Sequence, residues 1–480
     1  MCSVIEASVY YSKKKFIYHS HIISVCIFPN FLINNFNHQF SIMSFIILAI
    51  GILILILLIT WAKLNAFLSF IIVCIFVGLA NGMDIAAIAT SVQKGMGDLL
   101  GTLIIIIGLG AMLGKLVAES GAAEKIAAGL IKFSGEKNLV WALLITAFII
   151  GIPLFYNVGF VLILPLAISI ATKYKIPPVY LSLPAISALS VTHGYLPPHP
   201  SPTALVQQFN ADLGLTLLYG FIVAIPCIIL AGPVFAKTLK KYNNRPLESF
   251  IATPKDEASL PGMFISIITA FMPVILISAA TLTKMWMHGR NTFKTVVLAL
   301  GEPPVAMLVT VLLAIYTLGI KQGRTMTQIG NSLNDAAKDI AVILFIVGGA
   351  GSLKQVLTDT GISGEIAASL QHLSINPLLA AWSISAIIRV AIGSATVAGL
   401  TTAGIVAPLI AATGANPNLM VLATGAGSLF FSHVNDSGFW LFKEYFNLSI
   451  KQTMKTWSIM ETIVSVVGII VVLMLSYIIH

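Results

Sequence analysis

The sequence predicts an all-α polytopic membrane protein with two homologous, inverted halves, broken helices or re-entrant hairpins, and about 12–14 membrane segments. Three observations carry this reading. The first is composition: 480 residues, 58% hydrophobic and 9% charged, with a mean hydropathy of +0.96, whereas soluble domains carry about 25% charge. The second is the recurrence of apolar runs of near-spanning length from Ser44 to Ile479. The third is a pair of polar interruptions: ALSVTHGYLPPHPSPT at Ala188–Thr203, and SLFFSHVNDSGFW at Ser428–Trp440, with His433 standing 240 residues after His193.

Charge and cysteine usage narrow the class. The formal net charge of +9 is spread over short loops, which in a polytopic protein marks cytoplasmic segments, not a nucleic-acid surface. The partners implied are a lipid bilayer and a small solute; self-association is left open. Cys2, Cys26, Cys74 and Cys227 show no metal or redox spacing, and Cys74 and Cys227 lie in apolar runs as small hydrophobes. No HExxH, GxSxG or CxxC spacing occurs. The reading is therefore not an enzyme, with no cofactor and no metal.

Residues 1–42 are aromatic, Asn-rich and marked by Lys13–Lys15, and their apolar run from Ile22 to Phe28 is too short to span. They read as an N-terminal extension to which no function is assigned; the expectation is that a chain starting at Met43 inserts and transports normally. Residues 43–236 form the first transmembrane half. Ser44–Trp61 is a continuous apolar helix ending in interfacial Trp61 and Lys63, followed by Ala66–Ala80, a Gly-containing connection, Leu99–Ala118 and a short amphipathic Ala122–Phe133. Leu139–Pro153 and Val158–Ala171 flank a break at Gly151–Asn157, Val179–Leu189 leads into the proline-rich interruption, and Leu213–Ala236 spans again. Proline removes a backbone donor and displaces the residue before it from helical geometry, so helix is expected to stop across Leu196–Pro202. Unpaired backbone at membrane depth is tolerated only inside protein or beside a watery cavity.

Residues 237–261 are a polar linker, read as cytoplasmic, and residues 262–480 are the second half. Its spans are Met263–Leu282, Pro303–Ile320, Ile340–Leu357, Pro377–Ile388, Val397–Ala412, Leu419–Phe431 and Ile459–Ile479. Aligning Gly108–Leu130 on Gly348–Leu370 at an offset of 240 gives seven identities in 23 positions, among them Gly121/Gly361. The same offset sets Gly151–Gly159 over Ala391–Gly399 and His193 over His433. Interrupted apolar segments at matching positions of two halves point to a transporter with its site between them.

Seven stretches carry a specific resemblance: GLGAMLGKLVAESGAAEKIA (108–127), GIPLFYNVGFVLILPLA (151–167), THGYLPPHPSPTALVQQFNADLG (192–214), IVGGAGSLKQVLTDTGI (346–362), RVAIGSATVAGLTTAGIVAPLI (389–410), FSHVNDSGFWLFKEYF (431–446) and KTWSIMETI (455–463). From about Ser44 onward the chain resembles the gluconate:proton symporter (gluconate permease) family, within the ion-transporter superfamily of anion carriers. The resemblance implies import of gluconate or a related sugar acid together with a proton, across the plasma (inner) membrane. A sodium-coupled carboxylate carrier or a cation/proton antiporter on a similar scaffold is the rival reading.

The residues themselves supply matching chemistry. A carboxylate at membrane depth needs donors, and helix N-termini offer free N–H groups at a positive dipole end. Gly393, Ser394 and Thr396 have the composition for one such terminus, and Thr192, Ser201 and Thr203 for another. Asn157, Asn435 and Ser437 add groups for a polyol tail. Local back-bonding and small-residue packing compete with each of these roles. Proton coupling needs an ionisable group inside the membrane. Asp436 is the leading candidate. It lies three residues after His433, one turn on if the segment is helical, so that carboxylate and imidazole would pair and trade a proton. His193 and His199 are the first-half counterparts; a cap on a broken helix is the competing role for His433 and Asp436. Arg389 would pair the anion or snorkel to the interface. Glu119 and Asp359 close helices in symmetric positions and read as caps.

Overall fold

The computed structural model describes residues 43–479 except 45, 155, 243, 245–259, 288, 290, 363–364 and 366–374. Residues 1–42, most of the linker and the end of the Gly348–Leu370 alignment lie outside the described residues. The described chain is helical: α1 (Ile46–Thr60), α2 (Ala66–Ala80), α3 (Ile85–Glu119), α4 (Ala122–Ser134), α5 (Leu139–Gly151), α6 (Tyr156–Lys173), α7 (Pro178–Tyr195) and α8 (Pro200–Gln208); α9 (Leu213–Leu239); α10 (Met263–Trp286) and α11 (Thr292–Leu300); α12 (Pro303–Gln322); α13 (Met326–Asp359), α14 (Pro377–Ile392), α15 (Ala395–Thr413), α16 (Pro417–Ser428) and α17 (Ser437–Tyr445); and α18 (Ile450–Ser476).

Helix starts are legible in the chain. Asn65, Asp84, Asp212, Asn291 and Asn376 each accept a first-turn N–H through the side chain, and Thr325 forms a capping box with Gln328. Proline stands at the first turn of α7, α12, α14 and α16, where no helical partner is lost. Against the expected 12–14 segments, six helices among the described residues are long and apolar enough to cross alone. A seventh crossing is the pair Ile85–Gly101 and Leu103–Glu119, bent by 47° within α3; five further apolar helices are shorter. Of the short ones, Leu139–Gly151 and Pro377–Ile392 end at buried breaks.

α3 and α13 form the largest helix pairing. Gly95 and Gly351 face each other so closely that a Cβ on either would strike the other's backbone, which is how small residues let membrane helices approach. Their ends are tied reciprocally. Glu119, at the end of α3, accepts from Ser332 Oγ near the start of α13 at 2.5 Å and from Arg324 at 2.9 Å. Asp359, at the end of α13, accepts from Ser91 Oγ near the start of α3 at 2.6 Å. The two helices therefore run antiparallel, and both acids sit at helix ends as the sequence suggests.

The first break differs from its expected extent. Helix is absent only over Leu196–His199, and α8 resumes at Pro200. Pro200 and Pro202 fall in the first turn of α8, where a missing N–H costs no hydrogen bond, so they start a helix instead of interrupting one. The second break is two residues long. Gly393 takes the left-handed conformation at φ +82°, and Ser394 caps α15 through its side chain. A Cβ on Gly393 would run into the Asn435 carbonyl, so glycine is required for conformation and for space. α7 and α16 are buried along nearly their whole lengths; they form the centre on which the broken elements converge.

Candidate functional site

A cavity of about 240 Å³ lies where these elements meet. At about 30 Å³ of liquid volume per water, it is of small-molecule size. The first turns of three helices reach it: Pro200 of α8, Ala395 and Thr396 of α15, and Ser437 of α17. Each such terminus carries a positive dipole end. They are unequal as donors. Pro200 and Pro202 remove two N–H groups from the first turn of α8, whereas α15 keeps those of Ala395 and Thr396.

Arg389, on the last turn of α14, provides the cationic wall. It is 3% exposed. Its Nη2 donates to Asp436 in an ion pair. Its Nε and Nη1 are buried and have no hydrogen-bond partner among the described residues. A buried guanidinium with spare donors is costly unless a ligand completes it. Asp436 is fully engaged by comparison: it also accepts from Ser432 Oγ at 2.5 Å and from Gly438 N at 2.8 Å, capping α17. That geometry fits a fixed partner that positions Arg389.

The cavity lining holds a second carboxyl group. Glu461 of α18 is 3% exposed and accepts from Ser190 Oγ of α7 at 2.5 Å, while its Oε2 is buried without a partner. Tyr156, Trp457, Leu429, Ile343 and Ile346 close the remaining sides. His193 lines the cavity, its ring 5.4 Å from Tyr156 and 5.5 Å from His199.

Of the residues singled out from sequence, His193, Gly393, Ser394, Thr396, Asp436 and Ser437 line this cavity. The others do not. Thr192 donates back to the Leu189 carbonyl, Ser201 lies toward Gly399 of α15, and Thr203 is buried with its hydroxyl unpaired. His199 Nε2 lies 2.6 Å from the Gly151 carbonyl. Asn435 donates to the Val390 and Ala391 carbonyls, stitching α14 to the following turn. The Asn157 side chain lies outside the described residues. The expected Asp436–His433 pairing is not formed: the segment is a turn, so His433 Nε2 faces the Val390 carbonyl while Asp436 faces Arg389. Sequence reading passed over Glu461, Ser190, Tyr156 and Trp457. Glu461 carried a usable signal, a lone acid at the start of the apolar run Ile459–Ile479.

Comparison with known proteins settles the family. Residues 43–478 match the sequence profile of the GntP family permease. The chain belongs to this family. It is 48% identical over 439 residues to the high-affinity gluconate transporter of Escherichia coli K12, covering 91% of this chain and 100% of that one. It is 45% identical, with the same coverage, to the Gnt-II system L-idonate transporter of that organism. A solved structure, the YdaH transporter of Alcanivorax borkumensis, superposes with a TM-score of 0.64 at 16% identity, covering 86% of this chain and 98% of that one; that likeness concerns the fold. This GntP family member is thus a multi-pass plasma-membrane permease and not an enzyme.

Proposed function

We propose that this GntP family permease imports gluconate or a closely related sugar acid together with a proton. The observation that carries the anion half of this reading is Arg389, buried at the cavity with Nε and Nη1 unpartnered. A carboxylate there would take donors from Arg389 and from the α15 N-terminus, a charge-assisted arrangement. Thr396, Ser437 and Tyr156 would serve a polyol chain, and the aromatic walls its carbon side. The gluconate and L-idonate transporters among the relatives support a six-carbon sugar acid.

Coupling follows from charge balance. Arg389 and Asp436 neutralise each other, so an entering anion adds one negative charge to a buried site that already holds Glu461. A proton entering with it restores the balance. The antiparallel, reciprocally tied α3 and α13 support two related halves, residues 43–236 and 262–480, that could rock about the fixed site.

Purified protein in proteoliposomes tests this. Labelled gluconate and L-idonate are expected to accumulate under an inward proton gradient, a neutral hexose is not, and a sodium gradient alone should give no accumulation. Sodium-driven accumulation indifferent to pH would establish the rival carrier instead, and preference for the neutral hexose would sink the anion site.

A further inference from the structure

We infer that Glu461, held by Ser190, carries the transported proton. The assignment rests on the proton-coupled reading above and deepens it by naming the group. Glu461 follows a π turn at Met454–Ser458 within α18. Such a turn shifts the side-chain register, and here Trp457 and Glu461 both face the cavity. Glu461 Oε1 has the Ser190 hydroxyl at 2.5 Å, which in turn lies 3.5 Å from the Tyr156 hydroxyl. Oε2 is buried and unpartnered among the described residues.

The titratable and charged groups around it are Tyr156 on α6, Tyr195 on α7, Arg389 on α14 and Asp436 before α17; His193 of α7 lines the same cavity, with His199 against it, and Cys227 of α9 lies against Tyr195. The cation in this set, Arg389, is paired with Asp436, and among the described residues it is not bonded to Glu461. Tyr195 donates instead to the Val464 carbonyl. An ionised Glu461 would thus be a buried carboxylate with one hydroxyl partner, a poorly compensated charge. A protonated Glu461 offers a donor on Oε2 in the cavity that Arg389 also lines, where an anion would accept it. Proton and anion therefore stabilise each other on Glu461, and by linkage each raises the other's affinity by the same factor. Asp436 lacks this freedom, because three donors already occupy it.

The sign is fixed. Anion binding requires the protonated form, so wild-type affinity is highest at low pH and falls as pH rises. With Gln at 461 the site is always neutral, so affinity should not vary with pH through this group.

Two measurements on the full chain test the assignment. In proteoliposomes, Glu461→Gln should reduce proton-gradient-driven gluconate accumulation at least about 10-fold, to near-equilibrium levels, while exchange of gluconate at equal pH stays measurable. In detergent, at an alkaline pH where Glu461 of the empty site is partly ionised, adding gluconate to weakly buffered wild-type protein should draw protons from solution. Glu461→Gln should abolish that uptake, Glu461→Asp should keep it, and Ser190→Ala should move its pH midpoint. Wild-type accumulation and pH dependence in Glu461→Gln would overturn the assignment. So would loss of proton uptake in a His193→Asn variant when Glu461→Gln retains it. Should Glu461→Gln neither exchange nor bind, failure of Glu461→Asp to restore proton uptake overturns it equally. Wild-type protein that binds gluconate without any proton uptake at neutral or alkaline pH would remove the symport reading, and this assignment with it.

Discussion

The break between α7 and α8 spans four residues and is made with proline; the break between α14 and α15 spans two and is made with glycine. Both stop a helix inside the protein and aim the next helix's N-terminus at the same cavity. They differ in what they bring. The first is poor in donors, because Pro200 and Pro202 carry no N–H, and its titratable groups are His193 and His199. The second brings an intact N-terminal turn, Arg389 and, through the neighbouring turn, Asp436. Ile149 stands 240 residues before Arg389, where the sequence alignment would place a counterpart. The fold thus presents two helix ends at one cavity, and only one of them carries permanent charge. On the proposed function, one cationic wall is what a single carboxylate needs.

The largest effect expected from this contrast is at Arg389. Arg389→Gln removes the spare donors and leaves Asp436 buried without its partner, a loss of about 3–5 kcal/mol. Initial gluconate uptake, normalised to protein in the membrane, should fall at least about 100-fold. Ile149→Val at the matching place should cost only about 0.5–1.5 kcal/mol of stability and leave uptake within about threefold. Comparable losses at both positions would break the comparison.

The next effect is at the glycine. Gly393→Ala forces a side chain into the left-handed region and against the Asn435 carbonyl, a strain of about 1–3 kcal/mol. The melting temperature in detergent should drop, with transport reduced about 10-fold. An unchanged melting temperature would mean that the α14–α15 junction can relax without consequence.

The smallest effects sharpen the contrast between hydroxyls. Thr396 lines the cavity, whereas Thr203 is buried away from its lining with an oxygen unpaired among the described residues. Thr203→Val removes an unsatisfied polar atom at constant shape, so thermal stability should hold or rise and uptake should change less than about twofold. Thr396→Val should weaken half-saturation for gluconate several-fold, to about 1 kcal/mol. The reverse ranking would place the substrate on the first break.

Local rules made much of the fold readable. Asparagine, aspartate, serine and threonine caps mark helix starts, and the polar interruptions mark the breaks because each acts over a few residues. Gly393-Ser394-Ala395-Thr396 was legible as a helix terminus for the same reason. The proline stretch was over-read: Pro200 and Pro202 stop a helix mid-course but are compatible with its first turn, and sequence alone did not say which applied. His433 and Asp436 were paired on the assumption of a helical turn, and the turn that forms sends them to different partners.

The sequence by itself determined a membrane protein of interrupted helices, because hydropathy, proline and glycine act through the local backbone. It also placed residues 43–478 in a permease family, since long ordered motifs survive in the chain. Only the tertiary structure decided which groups share the site. Arg389 meets Asp436 across 47 residues, and Ser190 meets Glu461 across 271. Such pairings depend on how α7, α14 and α18 pack against one another. Nothing in the spacing of two residues so far apart specifies the contact; the burial of both in one low-dielectric cavity does.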